Sequence, residues 1–161
     1  MIPYFGSKSN LVNKYPKPKY QKIIEPFAGS ARYSLKYFDR EICLIDKYPI
    51  IVDIWHFLQD ASENDILNLP KIVKGQKVSD FNLSDIESKF MGFLVQASVG
   101  QPRNSVGSLK GINVERDLKR IAKNLFKIKH WEIKVGDYKE IPNEECTWFI
   151  DPPYQFGGEY Q

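Results

Sequence analysis

The sequence predicts an α/β fold: a mostly parallel sheet with helices on both faces and a small helical insertion. Three observations predict it. Short apolar runs alternate with stretches of helical periodicity, in the order strand, helix, strand, helix, which parallel pairing with right-handed crossovers satisfies. A glycine-bearing turn follows the first run directly, and acidic residues stand at or just beyond the ends of successive runs. With 161 residues, 42% hydrophobic and 14% aromatic, the chain has enough apolar surface for one core, so a single globular body is expected.

Ser7 is placed to cap a short helix over Lys8 to Lys14, which Pro16 must stop, and Tyr15 to Lys19 then reads as an extended connector. Gln21 to Glu25 is a buried strand, Pro26 to Ser30 a tight turn containing Gly29, and Ala31 to Phe38 a helix. A second strand, Glu41 to Ile45, ends at Asp46. Ile50, Ile51, Ile54, Trp55 and Leu58 then recur at helical spacing. Ser62 to Leu69 is helical up to Pro70, Lys71 to Asp80 is polar and uncommitted, and Ser84 caps a helix running to about Val99. Gly100 to Asn113, with three glycines and no apolar period, is the longest loop, and Val114 to Ile128 is a basic amphipathic helix. Trp131 to Val135 and Thr147 to Ile150 supply two more strands. The organisation expected is an N-terminal catalytic part over 1–60, an insertion over 61–115 and a catalytic continuation over 116–161.

Bulk properties narrow the partners only a little. The net charge of +3 permits nucleic acid without demanding it, and no run approaches the roughly 20 apolar residues of a bilayer span, so a soluble intracellular protein is expected. Cys43 and Cys146 each sit in a short apolar run, as free core thiols do.

Glu25 with the Gly29 turn, Asp46, Asp137 and Asp151 all fall at the carboxyl ends of predicted strands. Open α/β sheets bind ligands outside those ends. Gly29 lets the backbone pass close to a ligand, and the helix start at Ser30-Ala31 favours an anionic group. Asp46, about twenty residues past the turn, has the spacing of a ribose-hydroxyl acceptor. A nucleotide cofactor follows, and nicotinamide is disfavoured because the turn lacks the full Gly-x-Gly-x-x-Gly spacing.

Asp151-Pro152-Pro153-Tyr154 carries the most specific chemistry. Two prolines fix two φ angles and remove two donors, leaving an acceptor-rich turn. The Asp151 carboxylate and the Pro152 carbonyl can both accept from an NH₂ group, while Tyr154 offers a stacking face. Such a pair suits a planar aromatic amine, whose lone pair is delocalised until its hydrogens are held and whose developing positive charge then needs stabilising.

With these motifs in this order, the chain resembles the Dam-like (D12 class) adenine-N6 DNA methyltransferases. Pro3 to Lys8 resembles their N-terminal motif, Glu25 to Ser30 the cofactor motif, Asp46 the ribose acid, Asp137-Tyr138 the cofactor-adenine contact and Asp151 to Tyr154 the catalytic motif. The resemblance implies a Rossmann-like, S-adenosylmethionine-dependent fold. It assigns Asp151, Pro152, Tyr154 and Lys8 to catalysis, and Tyr4, Gly6, Glu25, Phe27, Gly29, Asp46, Asp137, Tyr138 and Asp151 to the cofactor. It further implies a cytoplasmic monomer, bacterial or phage-encoded, that acts on duplex DNA without metal and flips its target adenine. The short insertion is the counterpart of the family's target-recognition part. On its loop Gln101, Arg103, Asn104, Ser105, Ser108 and Lys110 are of the types that contact phosphates and base edges.

Two departures stand out. Ala31 occupies the place of the second glycine of the family's turn. The family's sheet continues past the catalytic motif, whereas this chain stops at Gln161, so the C-terminal strands are expected to be missing and activity of this chain alone is in question. An RNA exocyclic-amine methyltransferase, or an inactive truncated DNA-binding relic, remain the alternative readings.

Overall fold

A computed structural model describes residues 11–96, 100–107 and 112–152. Four parallel strands form one sheet in the order β3-β2-β1-β4. They are β1 (Lys22–Glu25), β2 (Glu41–Asp46), β3 (Glu132–Val135) and β4 (Thr147–Trp148). Ile24 aligns with Cys43 on one side and Trp148 on the other, and Asp46 aligns with Val135. This order matches four strands of the doubly wound arrangement 3-2-1-4-5-6. The central strands are buried on both faces, which is why they read as continuous apolar runs.

The two faces are covered differently. Ile23, Ile42, Leu44 and Ile133 join one large core with residues of α1 (Arg32–Lys36), α2 (Pro49–Asp60), α3 (Glu63–Leu67), α4 (Asp85–Leu94) and α5 (Val114–Ala122). Ile24, Cys43 and Ile45, one residue out of phase, form a second, smaller cluster with Cys146, flanked by Ile141 and Trp148. No described helix contributes to that second cluster, so the expectation of helices on both faces is corrected. Both crossovers from β1 to β2 and from β2 to β3 move in the same direction along the sheet, and crossovers of one hand then fall on one face. Both cysteines are buried and free, and burial pushes the Cys43 thiol up to about 12.

Residues of the insertion share the main core instead of forming one of their own. Phe90 and Phe93 are fully buried with Ile23, Phe57 of α2 meets Phe90 at 5.6 Å, and α3 packs against α5. Capping boxes start α3 and α4. Ser62 accepts from the Asp65 amide and Ser84 from the Glu87 amide, while each carboxylate bonds back to its cap.

Among the element bounds that differ from the sequence expectation, four have clear local reasons. Residues 11–14 form a turn closed by the Lys14 amide on the Leu11 carbonyl, and the rest of the expected first helix lies outside the described residues. α1 begins only at Arg32, because Ala31 has left-handed dihedrals (φ 45°, ψ 43°). α4 ends at Leu94 because the 100–107 loop returns onto its last turn. There the Arg103 and Gly107 amides take the Gly92 and Val95 carbonyls at 3.0 and 2.9 Å. α5 stops at Ala122, short of Ile128, where the Asn124 side-chain amide donates to the Arg120 carbonyl at 2.7 Å and a 3₁₀ turn, Leu125–Lys127, follows.

The loop is therefore fastened at both ends. Asn104 accepts the Ser79 amide, donates to the Ser79 hydroxyl and offers its own carbonyl to Val78, while Ser105 bridges Lys77. Gly92 makes the approach possible: a Cβ there would lie 2.6 Å from Pro102 Cβ and 3.0 Å from the Arg103 backbone. Gly92→Ala is expected to lower stability by about 1–3 kcal/mol through overpacking against backbone, read as a fall in the urea midpoint. An unchanged midpoint would show that the loop does not depend on this contact.

Candidate functional site at the strand ends

All four strands run the same way, so their carboxyl ends share one edge, and the sequence features converge there. Glu25 and Asp46 are the last residues of β1 and β2; Asp137 follows β3 by two residues and Asp151 follows β4 by three. Val135, Tyr138 and Ile150, each more than half exposed, leave apolar surface on the same edge.

Asp46 is the hub of this edge. Its Oδ2 accepts the Gly29 amide at 3.0 Å and its Oδ1 the Tyr48 amide at 2.9 Å, and its carbonyl accepts the Gly136 amide at 3.1 Å. Each carboxylate oxygen keeps a further lone pair for an outside donor. Burial pushes the Asp46 carboxyl up, and the two amides work against that rise.

The glycine turn is held from two sides. Gly29 has φ 42°, its amide is bound by Asp46, and its carbonyl accepts from the indole of Trp55, a fully buried residue of α2, at 3.1 Å. The Ala28 amide reaches the Ile45 carbonyl at 3.0 Å. Ala31 adopts the left-handed conformation that a second glycine would take without strain. Sequence periodicity marks Trp55 as core and gives no sign that it grips the turn.

Phe27 and Tyr138 meet across the top of β2 with ring centroids 5.3 Å apart and a tilt of 40°. They leave the ends of β1 and β3 and so flank the position above Asp46. Asp137 is occupied within the chain. Its Oδ1 caps the 3₁₀ turn Tyr138–Glu140 by accepting the Lys139 amide at 3.1 Å, and its Oδ2 pairs with Lys47 at 3.0 Å. These bonds hold its carboxyl below the usual range, the backbone bond most of all. Lys47, one residue past Asp46, has no motif to mark it.

Glu25 is 2% exposed, and its Oε1 accepts the Ser34 amide at 2.6 Å. The first turn of α1 thus already faces a carboxylate of the chain, in place of the ligand anion that the sequence suggested for this helix start. Burial, and then the neighbouring Asp151 charge, raise the Glu25 carboxyl from 4.5 to about 7, against the pull of Ser34. Asp151 is half-buried and Pro152 exposed. Asp151 is positioned by Phe149, whose amide binds the Ile24 carbonyl at 2.9 Å. The Phe149 ring stacks on Tyr33 at 4.4 Å and 4° and takes Tyr15 edge-on at 5.1 Å.

Of the loop residues, Arg103, Asn104 and Ser105 are exposed, and the Asn104 amide is committed to Ser79. Tyr4, Gly6, Lys8, Ser108, Lys110 and Tyr154 lie outside the described residues. A cavity of about 680 Å³ lies elsewhere, beside the carboxyl end of α2, between Phe57, Asp60, Asp65, Phe81, Leu83 and Glu87. It holds none of the residues expected to act.

The buried acid sets a pH dependence of definite sign. The folded state binds the Glu25 proton more tightly than the unfolded chain, so stability falls as pH rises from about 4.5 to about 7, by up to about 3 kcal/mol. Glu25→Gln keeps the acceptor for Ser34 and is expected to remove this share of the slope in urea unfolding between pH 4.5 and 8. An equal slope in both proteins would exclude Glu25 as its source. No protein-family model matches the chain, and no curated protein sequence matches it.

Proposed function

We propose that the chain is the cofactor-binding and catalytic part of a DNA methyltransferase that uses S-adenosylmethionine to methylate the N6 amino group of adenine. The observation that carries this reading is the convergence, on one edge of a parallel sheet, of the Asp46-bound glycine turn, the Phe27–Tyr138 ring pair and the Asp151-Pro152 acceptors. The residues present fit the cofactor. Asp46 keeps lone pairs for ribose hydroxyls, the paired rings offer an aromatic surface against which an adenine can pack, and the turn brings backbone close to a ligand. When bound, S-adenosylmethionine supplies a methyl group activated by its sulfonium.

The chain's own groups then act on the amine. Asp151 and the Pro152 carbonyl accept the two amine hydrogens, which localises the nitrogen lone pair and stabilises the positive charge that grows on nitrogen. An amine hydrogen held at Asp151 sits on a carboxylate able to take it to solvent. Tyr154 supplies the stacking face for a flipped base. Asp137, with both oxygens engaged, orients Tyr138 and Lys47 in this scheme.

Incubation with duplex DNA and methyl-labelled S-adenosylmethionine, followed by digestion to nucleosides, is expected to place label in N6-methyladenine. Asp151→Ala is expected to reduce transfer by about 100-fold or more. Label in an RNA nucleoside, or in no nucleic acid, overturns the reading. Asp46→Ala is expected to raise the Kd for S-adenosylhomocysteine by about 10- to 100-fold, the worth of lost hydrogen bonds to a charged acceptor. Calorimetry showing an unchanged Kd would remove Asp46 from the cofactor site.

A further inference from the structure

Two segments of the chain are strongly cationic: residues 8–22, with five Lys and no Asp or Glu, and α5 with the turn that follows it. Residues 113–130 hold six Lys and Arg against two Asp and Glu, a net +4 beside +3 for all 161 residues, so the remainder of the chain sums to −1. Arg116, Lys119, Arg120 and Lys123 recur at i, i+3, i+4 and i+7, one side of a helix, and all four are exposed. Val114, Leu118, Ile121 and Ala122 form the buried side.

The acids on α5 leave the row cationic. Glu115 pairs with Lys119 at 2.8 Å. Asp117 is buried and receives Arg120 at 3.0 Å and Arg116 at 3.6 Å, so one carboxylate orients two guanidinium groups at the surface. Lys129 is tied to the Gln59 and Ala61 carbonyls, and Lys127 lies over the Phe38 ring, so these two belong to the packing.

The row also has a definite place. Arg32, the first residue of α1 and next to the glycine turn, lies in the field of Arg120 and Asp117, and burial and Arg120 lower its proton affinity. Asp117 and Arg120, in the middle of α5, therefore lie near the first residue of α1, which follows the glycine turn. From Arg116 to Lys123 the row covers about 10 Å of helix axis, the axial span of about three phosphates along one strand. The groove bearing Asp60, Asp65 and Glu87, at the other end of α2, has the wrong charge for that partner.

We propose that the Arg116, Lys119, Arg120 and Lys123 face of α5 docks the phosphate backbone of duplex DNA beside the strand-end site, without regard to sequence. The choice of DNA as the polyanion rests on the adenine-methylation reading; the cationic row stands on the geometry of α5.

The test is fluorescence anisotropy of a labelled mixed-sequence duplex across about 50 to 200 mM salt, with the native chain and a triple variant, Arg116→Gln, Lys119→Gln and Lys123→Gln, that keeps the Arg120–Asp117 pair. Three lost phosphate contacts are expected to flatten the slope of log K against log salt by about 2 to 3 and to weaken binding at low salt by about tenfold or more. Circular dichroism and the Kd for S-adenosylhomocysteine are expected to stay unchanged. Native binding with no salt dependence, or an unchanged slope in the variant, overturns the proposal, as does tighter binding of an RNA hairpin through the same residues. A flattened slope without methyl transfer removes the activity reading and leaves the surface. Normal methylation with an unchanged slope removes the surface and leaves the activity.

Discussion

The carboxylate of Asp46 ties the functional edge of the molecule together. It stands at the end of β2, between the loops that leave β1 and β3, and it bonds the amide of the glycine turn on one side and the amide that leads into α2 on the other. Its backbone carbonyl holds Gly136, where the third loop begins. Three loops that would otherwise be independent thereby share one anchor. The arrangement needs an acid at this place, because an amide or an alkyl group could not accept from both backbone donors while keeping lone pairs turned outward.

Around that anchor the rest of the edge is supported from below. The buried Trp55 bonds the Gly29 carbonyl, so both backbone polar groups of the left-handed glycine in the turn are satisfied by side chains of other elements. The stack of Phe149 on Tyr33, with Tyr15 against its edge, holds the short β4 against β1 and sets the point from which Asp151 departs. Two carboxylates, Glu25 and Asp151, are then close enough for the second to raise the proton affinity of the first. Such coupled acids are common where a sheet edge carries chemistry.

Much of this was legible from the chain. The strand, turn, helix order, the positions of Glu25, Asp46, Asp137 and Asp151 at strand ends, and the Ser84 cap of α4 follow from local pattern, and local pattern suffices because period and cap chemistry act over a few residues. Other features were not legible. Asn104, of a type that contacts bases, is spent on Ser79, a partner 25 residues away. Trp55 sits at a core period yet bonds a turn 26 residues earlier. Asp137, read as a ligand contact, also pairs with Lys47, 90 residues distant. In each case a long-range hydrogen bond adds a partner about which residue type alone is silent.

The sequence by itself determined that the sheet is parallel, where its turns lie and which acids border its carboxyl edge, because hydrophobic period and turn chemistry are local constraints. Tertiary structure alone decided that the described helices pack on one face, that the insertion shares the main core, and that α4 and α5 end early against a returning loop and a side-chain amide. It also decided that Ala31 keeps the left-handed turn in the place of a glycine. The physical reason is the same throughout. A backbone or side-chain polar group must find a partner when buried, and only the assembled fold determines which partner is within reach.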